Sequence, residues 1–173
     1  MKKTLLPILA LIPAVWAGAT WFTSQNSETA LDEFMAQSNQ QIAETVPFLT
    51  IEKTSFDKGF IHSSAQSIVT IAPTLFSKEE AEPVRVGFNH KIYHGPVMMT
   101  PNGIKIGTSY ILTTLDQSSL TEEVKTIMTT FFGDAEPFVS GVTTGLSERI
   151  TTDFVVAPFS VQHQQKKAQQ QSQ

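Results

Sequence analysis

The chain has 173 residues, with 12 Lys and Arg against 16 Asp and Glu, a net charge of −4 and no cysteine. The missing thiols exclude cysteine nucleophiles, disulfides, Cys-type zinc sites and iron–sulfur clusters. The acidic balance, without a basic patch or an aromatic-basic stripe, argues against a nucleic-acid partner.

Met1-Lys2-Lys3-Thr4 leads into residues 5–22, which carry no charge. As a helix this run rises roughly 27 Å, close to the hydrocarbon core of about 30 Å. Trp16, Trp21 and Phe22 crowd its distal end, where aromatic rings favour the headgroup boundary. Lys2 and Lys3 hold the N-terminus in the cytoplasm by the positive-inside rule, so everything after residue 22 is expected outside it. Residues 1–23 are read as a membrane anchor or, alternatively, as a signal peptide cleaved after Ala17-Gly18-Ala19. Pro7 and Pro13 each remove a backbone donor from such a helix, which membrane helices tolerate.

After the polar stretch 24–27, Leu31, Phe34, Met35, Ile42 and Val46 recur at helical spacing. They predict an amphipathic helix over 29–46, stopped by Pro47. From residue 48 the period becomes two. Strands are predicted over 48–56 and 60–72, joined by Asp57-Lys58-Gly59, where Gly59 is expected to hold a positive φ. Residues 73–83 form a loop bearing Glu79, Glu80 and Glu82. The stretch 84–94 alternates most cleanly. Val84, Val86, Phe88, His90 and Ile92 share one face, with Arg85, Asn89 and Lys91 opposite.

Gly95-Pro96 ends that strand, and Pro101-Asn102-Gly103 turns into another over 104–115. Ser119 and Glu122 read as a capping box opening a second helix. Leu120, Val124, Ile127, Met128 and Phe131 form its apolar stripe, and Gly133 closes it. Strands over 138–144 and 149–159 follow, then a Gln-rich tail, 162–173, expected to be disordered. Six strands and two apolar-striped helices predict an α+β domain over 24–161, an antiparallel sheet with two packed helices.

Phe56-Asp57-Lys58-Gly59-Phe60-Ile61-His62-Ser63 resembles the aromatic-x-basic-Gly-aromatic hairpin of the YdgA/YihF-like envelope proteins of Gram-negative bacteria. Tyr93-His94-Gly95-Pro96, at a strand end, matches the His-Gly-Pro signature of the same family. The leading Met-Lys-Lys, the apolar run with its tryptophans and the Gln-rich helix also fit. The resemblance covers residues 1–160. It marks Lys58, Gly59, Phe60, His94, Gly95 and Pro96 as motif positions, and implies a conserved domain of unknown function, single-pass in the inner membrane with its bulk in the periplasm. It brings no catalytic residue. Family members continue with a long further β-rich portion, so a short paralogue or truncated product is implied here.

His90 and His94 are the metal candidates. Four residues apart on a strand, their α-carbons are roughly 13 Å apart, too far for one zinc. His90 is expected to be a packed core histidine and His94 a hydrogen-bonder beside the turn. His62, Ser63 and Ser64 follow Asp57 without a recognisable triad or a G-x-S-x-G elbow, and read as polar strand residues facing solvent. Gly103-Ile104-Lys105-Ile106-Gly107 lacks the Gly-Lys-Ser/Thr of a phosphate loop. Glu79, Glu80 and Glu82 lack calcium-loop spacing. No catalytic, cofactor or metal residue is assigned. If the helices cover only part of one sheet face, an apolar groove is left for an acyl chain or an extended strand. The expected function is a membrane-anchored, non-enzymatic periplasmic protein that binds an envelope protein or lipid. The alternatives are a truncated structural fragment paired with other β-structure, and a cryptic hydrolase.

Overall fold

A computed structural model describes residues 5–73, 82–147 and 149–158, without the side chains of 5–12, 14 and 123. The Gln-rich stretch 162–173, Glu79 and Glu80 lie outside the described residues.

Helix α1 runs over Leu5–Thr45, 41 residues in one piece. The apolar run and the amphipathic stripe are therefore one helix, and the polar stretch 24–27 does not break it. Several of its polar side chains bond back to the preceding turn. Thr20 donates to the Trp16 carbonyl at 2.8 Å, Asn26 to the Phe22 carbonyl at 3.0 Å and Ser27 to the Ser24 carbonyl at 2.8 Å. Among the described residues, no helix is long and apolar enough to cross a membrane. The described part of α1 thus lends no support to the expected transmembrane span.

Strands β1 (Leu49–Asp57), β2 (His62–Ile71) and β3 (Val84–His94) form an antiparallel meander. A hairpin of β4 (Val97–Thr100) and β5 (Gly103–Ile106) follows, before β6 (Ser109–Leu115) returns to pair with β3. A 3-10 turn, Gln117–Ser119, and helix α2 (Glu122–Phe132) lead to β7 (Phe138–Thr144) and β8 (Ile150–Val156). The main sheet has the order β1-β2-β3-β6-β7-β8, and the hairpin is a separate two-stranded sheet. An antiparallel α+β fold with two helices is what the periodicities predict.

The alternation of each strand decides which face is buried. Ala65 pairs with His90 and with Phe56, and Ile92 pairs with Ser63 and with Ile111, so these side chains share one face. Leu31 and Met35, four apart on α1, bury against Ala65 and Ile92, ringed by Ile51, Phe56 and Ile111. On the opposite face, Met98 of β4 is held by Tyr93 and Tyr110. A covered core thus exists at the β1–β3 end of the sheet, under α1.

Three local predictions need correction. The strand expected over 104–115 is two strands, and β4 was not foreseen. Gly107 breaks the run by donating its N–H to the Pro96 carbonyl at 3.1 Å, where a Cβ would collide with the Thr144 carbonyl. Ser119 does not cap α2. Its hydroxyl accepts from the Gly87 N–H at 2.8 Å and donates to the Asp116 carbonyl at 2.6 Å, which ties the turn to β3. Thr121 is the cap, accepting from the Val124 N–H at 3.4 Å. Finally, α2 does not lie across the sheet face. Leu120 is buried, but Ile127 and Phe131 are exposed, and the helix flanks only the end of the sheet beside Leu115 and Pro137.

Candidate functional site

The two sequence motifs lie far apart in the chain and meet on one flank of α1. The loop between β1 and β2 carries Lys58, Gly59 and Phe60, and the end of β3 carries His94, Gly95 and Pro96. The His94 N–H donates to the Ile61 carbonyl at 2.9 Å, which locks the two segments together.

Side chains complete the lock. The Gly59 N–H donates to Ser63 Oγ at 3.2 Å, and Ser63 Oγ lies 2.8 Å from His94 Nε2. Ser63 accepts from Gly59 and keeps both a proton and a second lone pair, so the direction of its bond to His94 follows the ring tautomer. The other ring nitrogen, His94 Nδ1, has no hydrogen-bond partner among the described residues. From α1, Ser24 donates to the Gly59 carbonyl at 2.7 Å. Lys58 Nζ donates to the Gln25 carbonyl at 3.2 Å and to Gln25 Oε1 at 2.9 Å. Thr20 packs against Gly95, which takes a φ of 111°. The Pro96 carbonyl accepts from Gly107, and Phe60 stands exposed at the loop tip.

Gly59 does not hold the positive φ expected of it; among the described residues Gly95, Gly103 and Gly133 do. Gly59 is needed for space, because a Cβ there would strike the His62 carbonyl. Ser63 is not a solvent-facing strand residue either, being fully buried. The odd-numbered parity it shares with Ala65 and Ser67 was the available signal. Thr20 and Ser24, four apart on the helix and both buried, belong to the site and were missed because residues 1–23 were read as an anchor or signal peptide and 24–27 as a polar break after it.

The spacing of Ser63 and His94 is that of a nucleophile and its base, but the surroundings differ from a hydrolytic site. Ser63 and His94 are 0% and 1% exposed, so both are closed off from solvent in this structure. Burial, helped by the nearby charges of His62 and Lys58, lowers the His94 pKa to about 4. A neutral imidazole here acts as a tie. His90 lies elsewhere in the core, between Ser67 (2.7 Å to Nε2) and Thr113 (2.9 Å to Nδ1). Burial lowers its pKa too, and it is the packed histidine that alternation predicts. Among the described residues, no group of three His, Asp or Glu side chains is placed to hold a metal ion.

Two open concavities border this region. One, of about 400 Å³, lies chiefly on the face away from α1 and is lined by Ser64, Gln66, Asn89 and Lys91 among others. The other, of about 390 Å³, lies beside the β1–β2 loop next to Phe60 and His62. Most residues bordering the first are polar, but the surface they turn toward it is chiefly apolar carbon.

The apolar surface without cover lies at the other end of the sheet. Ile150, Phe154, Val155 and Val156 of β8 are 59–67% exposed. Phe88, Phe138 and Phe154 form an aromatic row across the sheet, with successive ring centroids 6.2 Å apart.

Comparison with known proteins agrees with the motifs. Uncharacterized protein YihF of Escherichia coli (strain K12) is 27% identical over 105 residues, 58% of this chain and 21% of its own length. Protein YdgA of the same organism is 28% identical over 100 residues, 56% of this chain and 20% of its own length. The chain thus spans about a fifth of the length of the curated relatives it matches. No solved structure matches it. A family model described as "Bacterial protein of unknown function (DUF945)" matches residues 1–172, and the chain belongs to that family.

Proposed function

We propose that this chain is a membrane-anchored periplasmic binding module that takes up an extended segment of an envelope protein along β8. The observation that carries this reading is the unequal finish of the sheet. Strand β8 is exposed at all seven positions, and its Ile150, Phe154 and Val156 alternate on one face. A bare edge offers main-chain hydrogen bonds, and alternating apolar side chains offer pockets, which together are the requirements of strand addition. Single-pass anchoring through residues 5–22, with Lys2 and Lys3 on the cytoplasmic side, rests on the charge pattern of the sequence. The continuity of α1 supports it in one respect: a helix tied to the sheet side through Thr20 and Ser24 holds the domain at a fixed attitude to the helix itself.

Two measurements on the full chain in cells test the reading. A phosphatase that is active only in the periplasm, fused after residue 160, is expected to be active; an inactive fusion removes the localisation. A photoreactive residue at position 154 is expected to form adducts with an exported protein. Adducts with lipid alone replace protein binding by lipid handling, and no adduct at all removes β8 as a binding surface.

A further inference from the structure

The hairpin of β4 and β5 has two unlike faces. Met98 points inward and is 2% exposed, held by Tyr93 and Tyr110. Lys105, paired with Met98, shares that inner side. Its ammonium lies 5.5 Å from the Tyr110 ring centre and 3.6 Å from the Asp153 carboxylate. The outer face consists of two register pairs, Val97 with Ile106 and Met99 with Ile104. These four are 46%, 66%, 82% and 70% exposed, respectively. A contiguous apolar quartet on a hairpin pinned from behind is a surface built to meet something apolar.

Its position says what. Trp16 Nε1 donates to the Val97 carbonyl at 3.2 Å, so the hairpin begins level with Trp16 of α1. From Trp16 to Phe22 the helix rises roughly 9 Å, so the quartet lies beside the distal, aromatic end of the uncharged run. All 16 side-chain carboxylates of the chain lie outside residues 1–27 and 95–115, and Lys105, the one charge in the second stretch, is paired with Asp153 on the inner side. An outer face without charged side chains, joined through the Val97 carbonyl to a tryptophan of the apolar helix, matches the headgroup boundary of a bilayer in chemistry.

We infer that the hairpin of β4 and β5 is a second membrane contact, with Val97, Met99, Ile104 and Ile106 dipping into the headgroup boundary beside α1. This rests on the anchoring proposed above. The two contacts together fix the tilt and rotation of the domain, which a single helix leaves free to swivel.

The absence of cysteine makes the test direct. An environment-sensitive fluorophore is placed on Ile104→Cys in the full chain, with Ser64→Cys, exposed on the main sheet, as control. Vesicles are phosphatidylcholine with phosphatidylglycerol. Flotation of the chain with the vesicles reports anchoring. Emission shift and quenching by spin-labelled lipid report hairpin contact. The expected result is flotation of both proteins, with a blue shift and quenching at position 104 and water-like emission at position 64. Flotation with water-like emission at 104 overturns the hairpin contact and leaves anchoring intact. No flotation overturns both. A blue shift at 104 that grows with protein concentration in detergent, without vesicles, assigns the quartet instead to contact between copies of the chain and overturns the inference. Met99→Asp with Ile104→Asp is expected to abolish the 104-side signal, read from a fluorophore on Val97→Cys, while flotation persists.

Discussion

The sheet has two edges, finished in opposite ways. At β1 the Asn39 side chain of α1 takes the place of a neighbouring strand. Its amide donates to the Ile51 carbonyl at 2.7 Å and its oxygen accepts from the Ile51 N–H at 2.8 Å. Beside it, Lys53 bridges to Glu28 and Asp32 of the same helix, and its hydrogen bond to Asp32 leads the causes that raise its pKa. At β8 all seven residues are exposed. Exposed edges invite pairing, and proteins that do not use them blunt them. Among the described residues, one edge is blunted and the other is left bare. The contrast separates a half tied to α1 from a half with little cover.

The comparison breaks most visibly at glycine. Gly95 and Gly103 both hold positive φ, 111° and 94°, but a Cβ at Gly95 also meets Thr20 of α1, whereas at Gly103 nothing lies within 4 Å. Gly95→Ala therefore adds overpacking to backbone strain, for roughly 3–5 kcal/mol. Gly103→Ala carries the strain alone, about 1–2 kcal/mol. Urea unfolding of the full chain in detergent checks both. Equal costs at the two positions would mean that the contact between α1 and the Gly95 turn does not hold the α1-bound half together.

How much of this was legible in the sequence follows the range of the signal. Strands 84–94 and 138–144 were readable because alternation is local. Helix α1 was readable as two pieces, since polar residues normally mark a break, whereas in the fold Asn26 and Ser27 bond back to the preceding turn and Ser24 and Gln25 bond to the β1–β2 loop. The hairpin was hidden because Gly107 separates β5 from β6 through contacts with Pro96 and Thr144, residues distant in the chain. The site was half legible. Six motif positions were flagged, but why Gly59 is glycine depends on the His62 carbonyl, and Ser63 and Thr20 matter through contacts with Gly59, His94 and Gly95 that are distant in the chain or hidden by burial. Nothing local in the sequence announces that α2 fails to cover the sheet.

Acid sharpens the comparison next, because the α1-bound half contains the buried His94 and the partly buried His90. Unfolded, His94 takes a proton near its ordinary value of 6.5; folded, near 4. Between those values the unfolded chain binds more protons, so stability is full above about pH 6.5 and falls as the pH drops toward 4. Over the whole window the loss is about 3 kcal/mol, at about 1.4 kcal/mol per unit. His90, lowered by burial, acts in the same direction. Measured from pH 7 to 4.5, the slope is expected to be shallower in His94→Gln, which removes one of the two titrations. Amide exchange in β8 is expected to change less than in β2 and β3. An unchanged slope in His94→Gln would show that carboxylates, not the tie between Ser63 and His94, govern the acid response.

The smallest stability effect is the most telling, because it separates holding the fold from meeting a partner. The aromatic row of Phe88, Phe138 and Phe154 runs from the interior of the sheet to its bare edge. Phe88 is partly covered, and its ring meets Phe138 edge-on at 79°. Phe154 is 67% exposed and touches Phe138 on one side. Removing an exposed ring forfeits one aromatic contact of about 0.5–1.5 kcal/mol and little burial. Phe154→Ser is therefore expected to shift unfolding by about 1 kcal/mol or less, and Phe88→Ser by clearly more. If β8 receives an extended segment, Phe154→Ser should also abolish adducts from a photoreactive residue at the neighbouring position 152, although the domain stays folded. A Phe154→Ser chain that unfolds readily would make β8 part of the core, and one that retains every adduct would leave the partner's affinity to the backbone edge alone.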